Sequence, residues 1–114
     1  MYVSLAFLKR NPNLTQQEFM DYWINVHAPM CRRILQPFGC RRYTATFPVA
    51  SSAQATEGLG LDAVVQLAFD TKEQMEEALA SPDFGVEERR KSSAHVFDLT
   101  AMRDMVGREH DALL

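Results

Sequence analysis

The sequence predicts an α+β domain with the element order strand, helix, strand, strand, helix, strand. Three features carry this expectation. Residues 2–9 and 61–69 are almost wholly apolar and short, as strands covered on both sides are. Two capping boxes, Thr15 with Glu18 and Thr71 with Gln74, each open a helical pattern, because side chain and backbone there satisfy orphaned amides reciprocally. Residues 40–48 alternate, with Tyr43, Ala45 and Phe47 on one side and Arg42, Thr44 and Thr46 on the other.

Taken in order, residues 2–9 form the first strand and Asn11-Pro12-Asn13 supplies turn chemistry. The helix opened by Thr15 carries Phe19, Tyr22, Trp23, Val26, Met30 and Ile34 at the spacing of one buried face. Pro29 falls inside that pattern. It has no amide to give the carbonyl of Asn25 and its ring crowds that carbonyl, so the helix should kink near Val26–Ala28 and resume to about Leu35. Pro37-Phe38-Gly39 ends it. Residues 49–60 are small, polar and flexible in composition, and a connection of that length is either a lid over a site or an idle insertion. The helix opened by Thr71 runs through Met75, Leu79 and Ala80. Ser81-Pro82-Asp83 interrupts it, with Pro82 expected as the first residue of a further helical piece to about Ser93. Residues 95–106 are expected as the last strand, giving one domain over 1–106 and a tail over 107–114.

The length of 114 residues suits a single core. Hydrophobic residues at 46% and charged residues at 24% match the ordinary globular mixture. A formal net charge of −3 argues against a nucleic-acid partner, whose phosphates need clustered Lys and Arg. The local basic groups, Arg32, Arg33, Arg41 and Arg42 and then Arg89, Arg90 and Lys91, read as solvated faces. No apolar run approaches the roughly 18 residues of a membrane span. The apolar start precedes Lys9-Arg10 instead of following basic residues, the reverse of a secretory signal. Cys31 and Cys40 form neither a CxxC pair nor a zinc set, so they are expected reduced, in a cytoplasmic protein. The glycines make no GxGxxG, P-loop or GxSxG motif, and the histidines and cysteines are not at ligand spacing, so neither a cofactor nor a metal is expected. The six methionines read as core filler.

With right-handed crossovers, this order gives a ferredoxin-like four-stranded antiparallel sheet with the helices on one face. The first and third strands are apolar on both sides, so a lone unit would leave an oily sheet face in water. Pairing with a second copy through that face closes the two sheets into a barrel. A homodimer is expected.

His27 stands on the buried stripe of the first helix, four residues after Trp23 and three before Met30. An imidazole there is either a satisfied core histidine or part of a cavity wall. Pro29 frees a backbone carbonyl beside it, and Tyr22 and Asn25 bring polar groups within about one turn. Histidine titrates near neutral pH and can move protons. Tyr43 reads either as a pocket phenol facing this helix or as a core tyrosine with a satisfied hydroxyl. Phe19, Trp23 and Met30 are expected as apolar wall, with His95 at the pocket mouth. His95 and Asp98, three apart in an extended strand, face opposite sides and make no dyad.

The segment Leu8-Lys9-Arg10-Asn11-Pro12-Asn13-Leu14-Thr15, followed by Glu18-Phe19, Tyr22-Trp23 and His27-Ala28-Pro29, resembles the EthD family, named for ethyl tert-butyl ether degradation. Arg41-Arg42-Tyr43 also fits. The resemblance is specific over residues 5–47. Beyond that only the element order and the run Ala78-Leu79-Ala80-Ser81-Pro82 are similar, and residues 49–60 exceed the shortest members. The resemblance implies a dimeric α+β barrel with a pocket between sheet and helices. It places the family histidine at His27 and the family tyrosines at Tyr22 and Tyr43. Relatives in the superfamily include cofactor-free aromatic-polyketide oxygenases, cyclases, decarboxylases and lactone isomerases, and many members have no assigned activity. The function this implies is a cofactor-independent enzyme of secondary metabolism acting on a small aromatic or polyketide-like molecule. His27 would be general acid and base, and Tyr43 and Tyr22 would hold an oxyanion. The alternatives are a cofactor-free oxygenase and a non-enzymatic carrier of a small hydrophobic ligand.

Overall fold

A computed structural model describes residues 1–49 and 60–113. Most of the connection expected as a lid, residues 50–59, lies outside the described residues. Four strands, β1 (Tyr2–Leu8), β2 (Arg42–Thr46), β3 (Ala63–Phe69) and β4 (Arg103–Arg108), form one antiparallel sheet in the order β2-β3-β1-β4. The helices α1 (Gln16–Tyr22), α2 (Ala28–Leu35), α3 (Lys72–Ala80) and α4 (Glu87–Val96) complete the ferredoxin-like α+β fold. Both capping boxes form as the sequence requires.

The expected kink between α1 and α2 is a widened turn. Residues Trp23–His27 are π-helical, and the Ala28 amide bonds the carbonyl of Trp23, five residues back. Pro29 has no amide to continue the ordinary ladder, and the extra residue in this turn absorbs the loss. That residue also moves the buried face on by one position. Val26, expected on the buried stripe, is 48% exposed, while His27, Cys31 and Leu35 are buried. Gly39 ends this region in the left-handed conformation at φ +79°, where a Cβ would press on the Gln74 amide at 2.8 Å.

The second half departs from expectation at three places. Pro82 begins no helix: Ser81–Gly85 is a separate turn, with Phe84 and Gly85 amides bonding the carbonyls of Ser81 and Pro82 at 3.1 Å each. The last helix starts at Glu87 and runs through His95 to Val96, so His95 is helical and not on a strand. Asn11 explains that extension, because its side-chain and backbone N–H groups bond the terminal carbonyls of His95 and Val96, both at 2.9 Å. Asp98 then caps a short 3-10 turn over Leu99–Ala101, and the strand begins only at Arg103. It reaches Arg108, so Gly107 and Arg108, expected in the tail, pair with Val3 and Tyr2.

Alternation in the strands sorts the sheet's two faces. Ser4, Ala6, Leu8, Val65, Leu67 and Tyr43 share the face toward the helices. The other face centres on Leu5, Phe7 and Val64, all half-buried, beside Met105 at 54% exposure. One flank of it is polar, where Glu109 accepts from Arg42 at 2.7 Å and from Gln66 at 3.1 Å.

Candidate active site

A pocket of about 420 Å³ opens between the sheet and the helices. Its size suits a small organic molecule. The widened turn supplies one wall: Trp23, His27, Cys31 and Leu35, at intervals of four residues, all line it. The sheet supplies Ser4, Ala6, Leu8, Val65, Leu67, Tyr43 and Asp104, and Phe97 and Met102 come from the approach to β4. Helix α4 adds Arg89.

His27 is only 4% exposed yet lies on this wall. Its Nδ1 is 2.8 Å from the Ser92 hydroxyl, and Ser92 also accepts from the Tyr22 hydroxyl at 3.2 Å. Its Nε2 is 3.5 Å from the Cys31 sulfur. The Phe97 ring meets the imidazole edge-on at 5.2 Å. Burial, and secondarily the Arg89 guanidinium, lower the His27 pKa to about 4, so the ring is neutral at physiological pH. Burial likewise raises the Tyr43 phenol, with the Cys31 side chain reinforcing the effect, and Tyr43 stays a hydrogen-bond donor. Burial raises the Cys31 thiol as well. The polar end of the pocket is therefore an imidazole, a phenol and a thiol, all uncharged, with one guanidinium.

The sequence-expected residues divide. His27, Trp23 and Tyr43 come together, with the Trp23 and Tyr43 rings 5.5 Å apart. Tyr22 does not line the pocket and reaches His27 only through Ser92. Phe19 is fully buried behind the wall, packed on Phe47 and Phe97, and Met30 is buried in a second core cluster beside Leu67 and Phe69. Asn25 is exposed and outside the lining. His95, exposed at the end of α4, lies against the Tyr22 ring at 4.4 Å and is not at the pocket.

Sequence reasoning missed Ser92, Arg89 and Cys31. A signal for the first two existed. Arg89, Ser92, Ser93 and Val96 fall at i, i+3, i+4 and i+7, one face of a helix. Their polar identities disguised it, and Arg89 is half-buried, not part of a solvated basic run. Cys31 was hidden by the phase shift of the widened turn. Among the described residues, no three His, Cys, Asp or Glu side chains converge as a metal site would need, and no helix is long and apolar enough to cross a membrane.

This combination defines a small α+β protein with a pocket of small-molecule size between its sheet and its helices. The chain belongs to the EthD family: the family model, described as the EthD domain, matches residues 11–91. Solved structures share the fold. An EthD family protein from Bacillus halodurans superposes with a TM-score of 0.62 at 24% identity, over 96% of this chain and 100% of its own. The Arabidopsis thaliana protein At3g17210 gives a TM-score of 0.69 at 10% identity, with both chains covered completely. A protein described as dimeric and ferredoxin-like, from an uncultured marine organism, gives 0.61 at 14% identity, over 99% of this chain and 90% of its own. A comparison with curated proteins returns no match.

Proposed function

We propose that the chain is a cofactor-independent enzyme that moves a proton on an aromatic or polyketide-like molecule held in this pocket, with His27 as acid and base. The observation that carries the reading is a neutral, hydrogen-bonded imidazole on the wall of a largely apolar cavity. When Nδ1–H donates to Ser92, Nε2 keeps its lone pair for a bound molecule. Nε2 takes a proton from a C–H beside a carbonyl, and the bonding electron pair stays on the molecule as an enolate. The Tyr43 hydroxyl donates to that oxygen. The imidazolium then returns the proton to a different atom, which completes an isomerisation. If the enolate carbon first attacks a second carbonyl, the proton goes to the new alkoxide and a ring has closed.

A non-enzymatic carrier is the second reading. It is favoured by the fact that both nitrogens of His27 already face a side-chain partner. Trp23 separates ligand binding from catalysis, since it is the chain's single tryptophan and lines the pocket. Ring compounds that raise Tm and perturb the Trp23 signal are ligands; turnover of one of them, lost in His27→Ala while binding remains, marks the enzyme. Binding without any turnover marks the carrier.

We further propose a homodimer through the sheet face bearing Leu5, Phe7, Val64 and Met105. Its apolar centre supports this, as does the description of the marine neighbour as dimeric.

A further inference from the structure

Arg89 lines the pocket and has no part in the proton transfer. It comes from α4, three residues before Ser92, and is half-buried. Its guanidinium carbon lies 3.6 Å over the Phe84 ring, and one terminal nitrogen donates to the Phe84 carbonyl at 3.0 Å. Its Nε is buried with no partner among the described residues. The carboxylates beside it on the helix are engaged elsewhere, Glu88 with Arg33 and Glu87 with Lys91, each at 3.3 Å, and Asp104 is the carboxylate of the lining.

We propose that the ligand of this pocket is a carboxylic acid, an aromatic or polyketide-like acid whose carboxylate is received by Arg89 beside His27. This rests on the pocket being the ligand site. A guanidinium has five N–H donors, and among the described residues a single oxygen, the Phe84 carbonyl, accepts from this one. A cation so poorly satisfied on an apolar wall is costly, and an arriving anion offsets that cost. Stacking on Phe84 and the bond to its carbonyl hold the group before the ligand comes, which lowers the entropy lost on binding. The planar fork matches a carboxylate better than a point charge does. Charge balance selects a monoanion. The lining holds Arg89, Arg103 and Asp104 as its charged side chains, one positive charge in excess, and His27 is neutral. The rest of the wall, including Trp23, Leu67 and Phe97, accepts the carbon skeleton.

The experiment uses 2-naphthoate and its neutral analogue 2-naphthamide as probes. Affinity is measured by calorimetry, and binding at the pocket by the NMR shift of the Trp23 indole N–H. Naphthoate is expected to bind wild type about 10- to 100-fold more tightly, the worth of a charge-assisted hydrogen bond. Arg89→Gln removes that preference. Arg32→Gln, exposed and outside this pocket, keeps it. Arg89→Lys retains charge without the fork and shows a reduced preference, so it serves the same test if the glutamine variant does not fold. Equal affinities in wild type, or a preference undiminished by changing Arg89, overturns the assignment to Arg89 and leaves the pocket as a binding site. If neither probe moves the Trp23 indole, the pocket reading itself fails and this inference with it.

Discussion

Replacing His27 with glutamine should flatten the acid side of the stability curve. Burial and the Arg89 charge hold the His27 pKa at about 4 in the folded protein, against 6.5 for an unperturbed ring. Below pH 6.5 the unfolded chain takes up a proton that the folded chain refuses. The stability tied to the neutral ring is therefore fully present above that pH and falls as the pH drops toward about 4, where the loss levels off. Integrated over the titration, the loss is about 2 kcal/mol near pH 5 and about 3 kcal/mol near pH 4. That is a large share of the roughly 5–15 kcal/mol of a typical domain. The assay is urea unfolding followed by circular dichroism near pH 7.5 and near pH 5, at one protein concentration because the proposed dimer would add a concentration-dependent contribution. Wild type should lose about 2 kcal/mol more than His27→Gln over that interval. Glu18 and Asp98, held low by hydrogen bonds from Thr15 and Thr100, lose their contributions only as pH falls through their own depressed pKa values, and equally in both proteins. Equal losses in wild type and variant would refute the buried, neutral histidine.

Four further outcomes are expected. With a substrate in hand, His27→Ala should lower kcat by roughly 10²–10⁴-fold with a far smaller change in affinity, and steady-state kinetics would detect the opposite split. Tyr43→Phe should cost about tenfold to several-hundredfold if its hydroxyl only steadies an oxyanion. Ser92→Ala should destabilise by about 1–3 kcal/mol in chemical denaturation, because it strands His27 Nδ1 and the Tyr22 hydroxyl together; a neutral result would mean the network is idle. Leu5→Arg should convert the proposed dimer to monomer in sedimentation velocity, and an unchanged sedimentation coefficient would remove that sheet face as the interface.

Much of this architecture was legible because it rests on local chemistry. Thr15 with Glu18, Thr71 with Gln74, and the period-two pattern at Tyr43, Ala45 and Phe47 depend on neighbours in sequence. What failed depends on distant contacts. The end of α4 is set by Asn11, some eighty residues earlier in the chain, and nothing local to residue 95 distinguishes a helix end from a strand start. At the site, Pro29 foretold a disruption but not its form. A simple kink keeps the phase of the helix, whereas the inserted residue turns Val26 outward and carries the inward face on from His27, already expected there, to Cys31 and Leu35. Arg89 and Ser92 were overlooked because polar residues on a helix are ordinarily read as solvated, and only a nearby cavity gives them reason to turn inward.

Proton exchange on a bound carbon acid tests the central claim most directly. The probe is the enolisable ring-bearing ketone, with or without a carboxylate, that raises Tm most; its exchange with D2O is followed by proton NMR at neutral pH. Wild type should accelerate loss of the signal of the proton beside the carbonyl, and His27→Gln should slow that catalysed rate by roughly a hundredfold or more while still binding the ketone. Exchange at the same rate with wild type and His27→Gln would contradict the account: the pocket would hold its ligand without His27 moving a proton.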